Sequence, residues 1–204
     1  MACAGALSEL KGGVTARLTI ARWISIVGHP FSFVVLLVGL TGFQRYEFGG
    51  AMRLVGLTAS ILVIPLWIFM WRKWRSGRWK TVDASEPGDR PSFYGVTLLL
   101  IGLLTGCFVL VEGASFMLRG CAAVAVMMGV AAVLNRWIKL SNHVAFAMFT
   151  GVLLTRFALP WGVGVLCLVP LIGWSRLALA RHRWSEVLGG AILGAVIGAV
   201  TAWA

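Results

Sequence analysis

The sequence predicts an all-α fold: a polytopic membrane bundle of about six to seven transmembrane helices, forming one domain over residues 1–204. Three observations carry this. Hydrophobic residues make up 59% of the chain and charged residues 12%, about half the charged fraction of a soluble domain. The apolar residues form long runs that are apolar all round rather than one-sided stripes, as expected where lipid is the solvent. Tryptophans (Trp23, Trp71, Trp74, Trp137, Trp174 and Trp203) fall near the ends of those runs, where indole prefers the membrane interface.

Seven runs follow in order: Trp23–Phe43, Leu54–Trp71, Phe93–Val111, Phe116–Leu134, Val144–Leu159, Trp161–Trp174 and Val187–Trp203. The first four are long enough to cross about 30 Å of hydrocarbon, and the last three are shorter. Pro30, Pro65 and Pro170 lie inside runs, where neighbouring helices are expected to absorb the kinks. Gly189, Gly190, Gly194 and Gly198 give the last run a small face suited to close helix packing.

Lys and Arg number 18 against seven acids, a net charge of +11. In a soluble protein this would suggest nucleic acid. Here the cations cluster between apolar runs, so membrane lipids are the expected partner and nucleic acid is not. The N-terminal tail and the even-numbered connections carry Lys11, Arg17, Arg22, Arg72, Lys73, Arg75, Arg78, Lys80, Arg90, Arg136, Lys139, Arg176, Arg181 and Arg183. The opposite side carries Arg45, Arg53, Arg119 and Arg156. By the positive-inside rule, the N-terminus and the even connections lie in the cytoplasm of a multi-pass protein of the cell membrane. Cys3, Cys107, Cys121 and Cys167 have no ligand spacing and read as small packing residues. Met1 to Gly13 lacks an apolar core beside a cleavage site, so no cleaved signal peptide is expected.

Three short polar stretches fall on the charged side. They are Asp83-Ala84-Ser85-Glu86-Pro87-Gly88-Asp89-Arg90-Pro91; Lys139-Leu140-Ser141-Asn142-His143; and Ser175-Arg176, then five residues, His182, three residues and Glu186. Converging at one end of a bundle, they would offer guanidiniums that match a phosphate in charge and geometry, with hydroxyls and helix-start N–H groups as neutral donors. One histidine could attack phosphorus while the other protonates the leaving oxygen. Glu186 follows His182 by four residues, so on a helix the two share a face and the carboxylate can fix the imidazole tautomer. Nothing in this set requires a metal or cofactor.

These residues resemble the motifs of the type 2 phosphatidic acid phosphatases, a superfamily that also holds the vanadium haloperoxidases. The third stretch is similar to its S-R-x5-H-x3-D motif, the second to its P-S-G-H motif and the first to its K-x6-R-P motif. The resemblance spans about residues 83–194. It implies hydrolysis of a lipid phosphate or diphosphate, with phosphatidate, phosphatidylglycerophosphate or a polyprenyl (di)phosphate as substrate. It implies that His182 is the nucleophile, Glu186 its orienting carboxylate and His143 the acid for the leaving group. Arg90, Arg176 and Ser141 would hold phosphate oxygens, helped by the Asn142 backbone N–H, with Ser175 as the motif serine. Three departures stand out. Asp83 occupies the place of the family's lysine, leaving Lys80 or Lys139 as substitutes; Leu140 and Asn142 replace Pro and Gly; and Glu186 replaces Asp.

Other readings of the same residues stay open. Glu186 also suits a helix N-terminus electrostatically, Arg181 and Arg183 suit headgroup anchoring, and His29 reads as structural. The pocket could bind anionic lipid without turnover, as in a transporter or an inactive accessory subunit. Histidines at 29, 143 and 182 also raise haem ligation, although they are not expected to pair on facing helices. The sequence leaves the oligomeric state open.

Overall fold

The computed structural model describes residues 2–84, 86–111 and 115–203, except for the side chains of residues 2–12 and 14. Cys3, Lys11 and Ser85 therefore lie outside what is described at side-chain level. Among the described residues the chain is helical throughout, with no strand: α1 (Ala2–Val27), α2 (Pro30–Phe43), α3 (Phe48–Thr58), α4 (Ile64–Arg75), α5 (Arg90–Val109), α6 (Ser115–Leu134), α7 (Asn142–Phe157), α8 (Leu159–Ala178) and α9 (Trp184–Trp203). A π-helical segment, Ala59–Val63, joins α3 to α4.

Among the described residues six stretches are long and apolar enough to cross a membrane: Thr15–Phe43, Phe48–Arg75, Arg90–Val109, Ser115–Leu134, Leu159–Ala178 and Trp184–Trp203. The protein is a multi-pass membrane bundle. The shorter α7 makes a seventh helix in its interior. Leu99, Leu103, Ile192 and Val196 point outward, as lipid-facing side chains do.

Proline shapes two of the rods differently from a simple kink. Before Pro30 the helix breaks outright, and His29 is extended at φ −68°, ψ 144°. A proline disfavours helical backbone in the residue before it, while its own fixed φ suits the first turn of a new helix. His29 then caps α2, its Nδ1 accepting the Phe31 N–H at 3.3 Å. Ahead of Pro65 the π-helical turn takes up the missing donor. Only Pro170 sits inside a continuous helix.

The helices also start earlier than the apolar runs. α5, α7 and α9 begin at Arg90, Asn142 and Trp184 rather than at Phe93, Val144 and Val187, and α8 runs on to Ala178, taking in Ser175 and Arg176. Hydrophobicity marks where lipid begins, not where the first helical turn forms. The polar motif residues thereby gain the rigidity of helix ends.

α7 is the central helix, buried along most of its length between α2, α8 and α9. Its contact with α9 is set by glycine. A Cβ on Gly190 would stand 2.6 Å from the Ser141 carbonyl oxygen, one on Gly194 would collide with the Ala145 carbonyl, and one on Gly198 would lie 3.0 Å from the Phe149 carbonyl. Every fourth residue of α9 thus meets every fourth residue of α7, in a register only a bare backbone permits. The Ser141 N–H donates to the Glu186 carbonyl at 3.0 Å and locks the two helix starts together.

Candidate active site

Four helix ends converge at the charged end of the bundle. α8 delivers Ser175 and Arg176 and then stops in a tight cap. The Arg181 N–H returns to the Arg176 carbonyl at 3.0 Å and the Ala180 N–H to the Leu177 carbonyl at 2.9 Å, with Ala180 left-handed at φ 52°. This is the hydrogen-bond pattern of a Schellman cap, with alanine where glycine is usual. It swings His182 back over the end of α7 before α9 begins.

His182 is buried. Its Nδ1 lies 2.8 Å from Glu186 Oε2 and 3.1 Å from the Lys139 carbonyl oxygen. Both partners are acceptors, so Nδ1 carries the proton, and in the neutral ring Nε2 keeps its lone pair. Burial, with the charges of Arg176, Arg90 and Lys139, lowers the His182 pKa from 6.5 to about 2. The hydrogen bond to the Lys139 carbonyl opposes this but does not outweigh desolvation and three cations. Glu186 is held in turn by the Arg183 N–H at 3.1 Å and Lys139 Nζ at 3.9 Å. Burial shifts the Lys139 pKa down, with Glu186 acting against that shift.

Two buried guanidiniums flank the histidine. Arg90 donates from Nη1 to the Leu140 carbonyl at 2.8 Å and the Tyr94 hydroxyl at 3.3 Å, and from Nε to the Ala84 carbonyl at 3.3 Å. Those bonds tie the first motif stretch to the second. Arg176, 2% exposed, donates from Nη1 to Ser25 Oγ and from Nη2 to Asp83 Oδ2, both at 2.6 Å, while its buried Nε has no partner. Asp83 also lies 3.6 Å from Arg181. The departure at position 83 therefore has a structural consequence: the carboxylate occupies one edge of Arg176.

Ser141 is fully buried, with an unpartnered Oγ at the start of α7. Asn142 opens that helix, where first-turn N–H groups lack intrahelical acceptors; its Oδ1 is buried without a partner. His143 follows, also buried. The Ser175 hydroxyl donates to the Ile172 carbonyl of its own helix at 2.7 Å and is fully buried. Its one proton serves α8. Lys80 pairs with Glu86 at the exposed surface at 3.7 Å, which leaves Lys139 as the lysine beside His182.

Two residues that the sequence left aside join the site. Ser25, from α1, holds Arg176. His29 packs edge-on against His143 with ring centroids 5.1 Å apart. Its helix-breaking proline was the visible signal, since the break brings an imidazole level with the start of α7. The two rings do meet on facing helices, contrary to expectation, but in van der Waals contact with no room for a porphyrin between them. Among the described residues no group of three or more His, Cys, Asp or Glu is placed to hold a metal ion.

The arrangement can do the following. A neutral, tautomer-fixed imidazole is available as a nucleophile. Buried cations and unpaired donors (Arg176 Nε and the Ser141 hydroxyl) suit a multivalent anion, and a second imidazole stands close by. Compared with protein-family models, curated proteins and solved structures, the chain matches none.

Proposed function

We propose that this protein is a lipid phosphate or diphosphate phosphatase resembling the type 2 phosphatidic acid phosphatases. The observation that carries this reading is the hydrogen bond between His182 Nδ1 and Glu186, which favours a neutral ring with the lone pair on Nε2, at an end of the bundle that also holds the buried Arg90 and Arg176. Nε2 attacks phosphorus and forms an N–P bond as the P–O bond to the lipid breaks. His143, which takes up a proton when the phosphate's negative charge binds beside it and offsets the cations, gives that proton to the departing oxygen. Water then attacks the phosphohistidine, returns a proton to His143, and frees phosphate and neutral His182. Glu186 offsets the positive charge that develops on the imidazole. Arg90, Arg176, Ser141 and the Asn142 N–H bind the phosphoryl oxygens, with Lys139 adding charge. The substrate is an amphiphile of the phosphatidate, phosphatidylglycerophosphate or polyprenyl (di)phosphate class, and the excess of cations at this end supports a site on the cytoplasmic face.

The test is phosphate release by detergent-purified protein on a panel of these lipids, with EDTA present, beside His182→Ala. Release by the wild type and loss of at least about 10³-fold in the variant are expected. Near-normal turnover by His182→Ala would sink the mechanism.

The Asp83–Arg176 ion pair favours a second reading, in which the site binds anionic headgroups without turnover. Stoichiometric lipid binding with no phosphate release from any lipid would select it.

A further inference from the structure

A cavity lies away from the polar site. It encloses about 520 Å³ between α2, α5, α6, α7 and α9, and apolar side chains such as Val38, Leu62, Leu104, Phe108 and Leu153 line it. Along α7 it extends from Phe146 to Phe157, about 16 Å at helical rise. That matches one leaflet of a bilayer whose hydrocarbon is about 30 Å thick. None of Arg90, His143, Arg176 or His182 lines it. Phe146 lies one turn beyond His143, so the closed end sits beneath the polar site and the mouth opens at the opposite end of the bundle.

Arg45, Arg119 and Arg156 ring that mouth with Gln44, which clamps α2 to α7 by donating to the Phe157 carbonyl at 3.0 Å. All three arginines are exposed, and among the described residues no carboxylate pairs with any of them. Cations are scarce at this end of the bundle, with Arg53 the only other Lys or Arg in these connections and helix ends. Convergence of three on one apolar cavity is therefore not explained by the positive-inside bias, which would empty this end.

The wall holds one polar anomaly. Thr41, Thr58, Thr97, Thr105, Thr155 and Thr201 each donate to a carbonyl of their own helix. Thr150 does not: its hydroxyl is 1% exposed, has no partner and lines the cavity. It stands six residues above Arg156, about 9 Å along α7, at the depth of an ester carbonyl below a phosphate held at the mouth.

We propose that this cavity is a binding site for an anionic glycerophospholipid. Its phosphate is held by Arg45, Arg119 and Arg156, one acyl chain fills the cavity, and the Thr150 hydroxyl donates to the chain's ester carbonyl. Guanidinium–phosphate pairing supplies headgroup selectivity and the apolar walls hold the chain. This second site faces the membrane leaflet opposite the polar site and uses none of its residues, so it stands whatever that site does.

The test uses full-length, delipidated protein with Cys3, Cys107 and Cys167 replaced by Ser. Cys121, which lines the cavity, is labelled with an apolar maleimide while phosphatidylglycerol, phosphatidylcholine or a polyprenyl phosphate is titrated in. Retained lipid is read in parallel by native mass spectrometry. Phosphatidylglycerol is expected to slow labelling and to be retained at least about tenfold better than phosphatidylcholine. Arg45→Gln/Arg119→Gln/Arg156→Gln should abolish that preference, and Thr150→Val should weaken retention about threefold or more. The exposed arginines can be changed without disturbing the core, so a folding failure does not mask the result. Equal protection by phosphatidylcholine, tighter retention of the polyprenyl phosphate, or an unaffected triple variant overturns the proposal. So does protection lost in Arg90→Gln but kept in the triple variant, which would put the lipid at the polar site.

Discussion

Between the Glu186 carboxylate and the Lys139 carbonyl, His182 Nδ1 must be the protonated nitrogen, and burial among cations keeps the ring neutral. Linkage then gives a pH signature. The unfolded chain takes up a proton near pH 6.5, whereas folded His182 waits until about pH 2. Its contribution to stability is complete above pH 6.5 and is lost progressively as pH falls towards 2. The detergent-solubilised protein should therefore melt lower at pH 4.5 than at pH 7, and His182→Asn should flatten that slope; equal slopes would assign the effect to other groups. Asp83 makes the opposite kind of statement. As an acceptor for Arg176 it steadies a buried guanidinium, and under the proposed function it would repel an incoming phosphate. Asp83→Asn should cost on the order of 1–3 kcal/mol of stability. It should also let inorganic phosphate raise the melting temperature more than in the wild type. No gain in the phosphate response would mean that Asp83 does not compete for that edge of Arg176. Neither role was visible in the motif, which shows a lysine replaced by a carboxylate but not which cation that carboxylate meets.

The glycines of α9 set the geometry of the polar end. Spaced by four, they bring the α9 backbone against that of α7, so that the Ser141 N–H reaches the Glu186 carbonyl. Gly194→Leu would force the two helices apart. It should cost the upper end of the about 1–3 kcal/mol typical of overpacking and reduce activity beyond the loss of folded protein. Gly164→Leu, whose Cβ meets nothing within 4 Å, is the control and should be near neutral. Equal effects would show that helix propensity rather than the clamp is at work. The small face of this run was readable from its spacing alone. Its partner and register were not, because a glycine stripe fits any helix that offers a complementary backbone. The start of α2 was misread for a related reason: Pro30 was expected to kink a continuous helix, but the residue before it left the helix altogether and carried His29 against His143.

Across the whole molecule, the two ends of the bundle differ in kind. One gathers polar helix ends into a buried, cation-rich cluster. The other opens an apolar cavity rimmed by three of the few arginines found there. By the positive-inside rule, the charge bias predicts that the first end faces the cytoplasm. A single cysteine introduced as Arg78→Cys, with the native cysteines removed, should therefore resist a membrane-impermeant maleimide applied outside intact cells. Reaction from outside would reverse the orientation and place the pocket on the outer face.

The sequence by itself determined the fold class and the approximate spans. Both rest on local physics: apolar length against hydrocarbon thickness, and indole at interfaces. The tertiary structure alone decided which of the collected cations are already engaged. It tied Arg176 to Ser25 and Asp83, turned Ser175 back into its own helix, brought His29 to His143, and gathered Arg45, Arg119 and Arg156 around one cavity. These are pairings between residues distant in sequence. They depend on helix register and on where a rod breaks, and hydrophobic periodicity in a chain that is apolar all round carries no information about either.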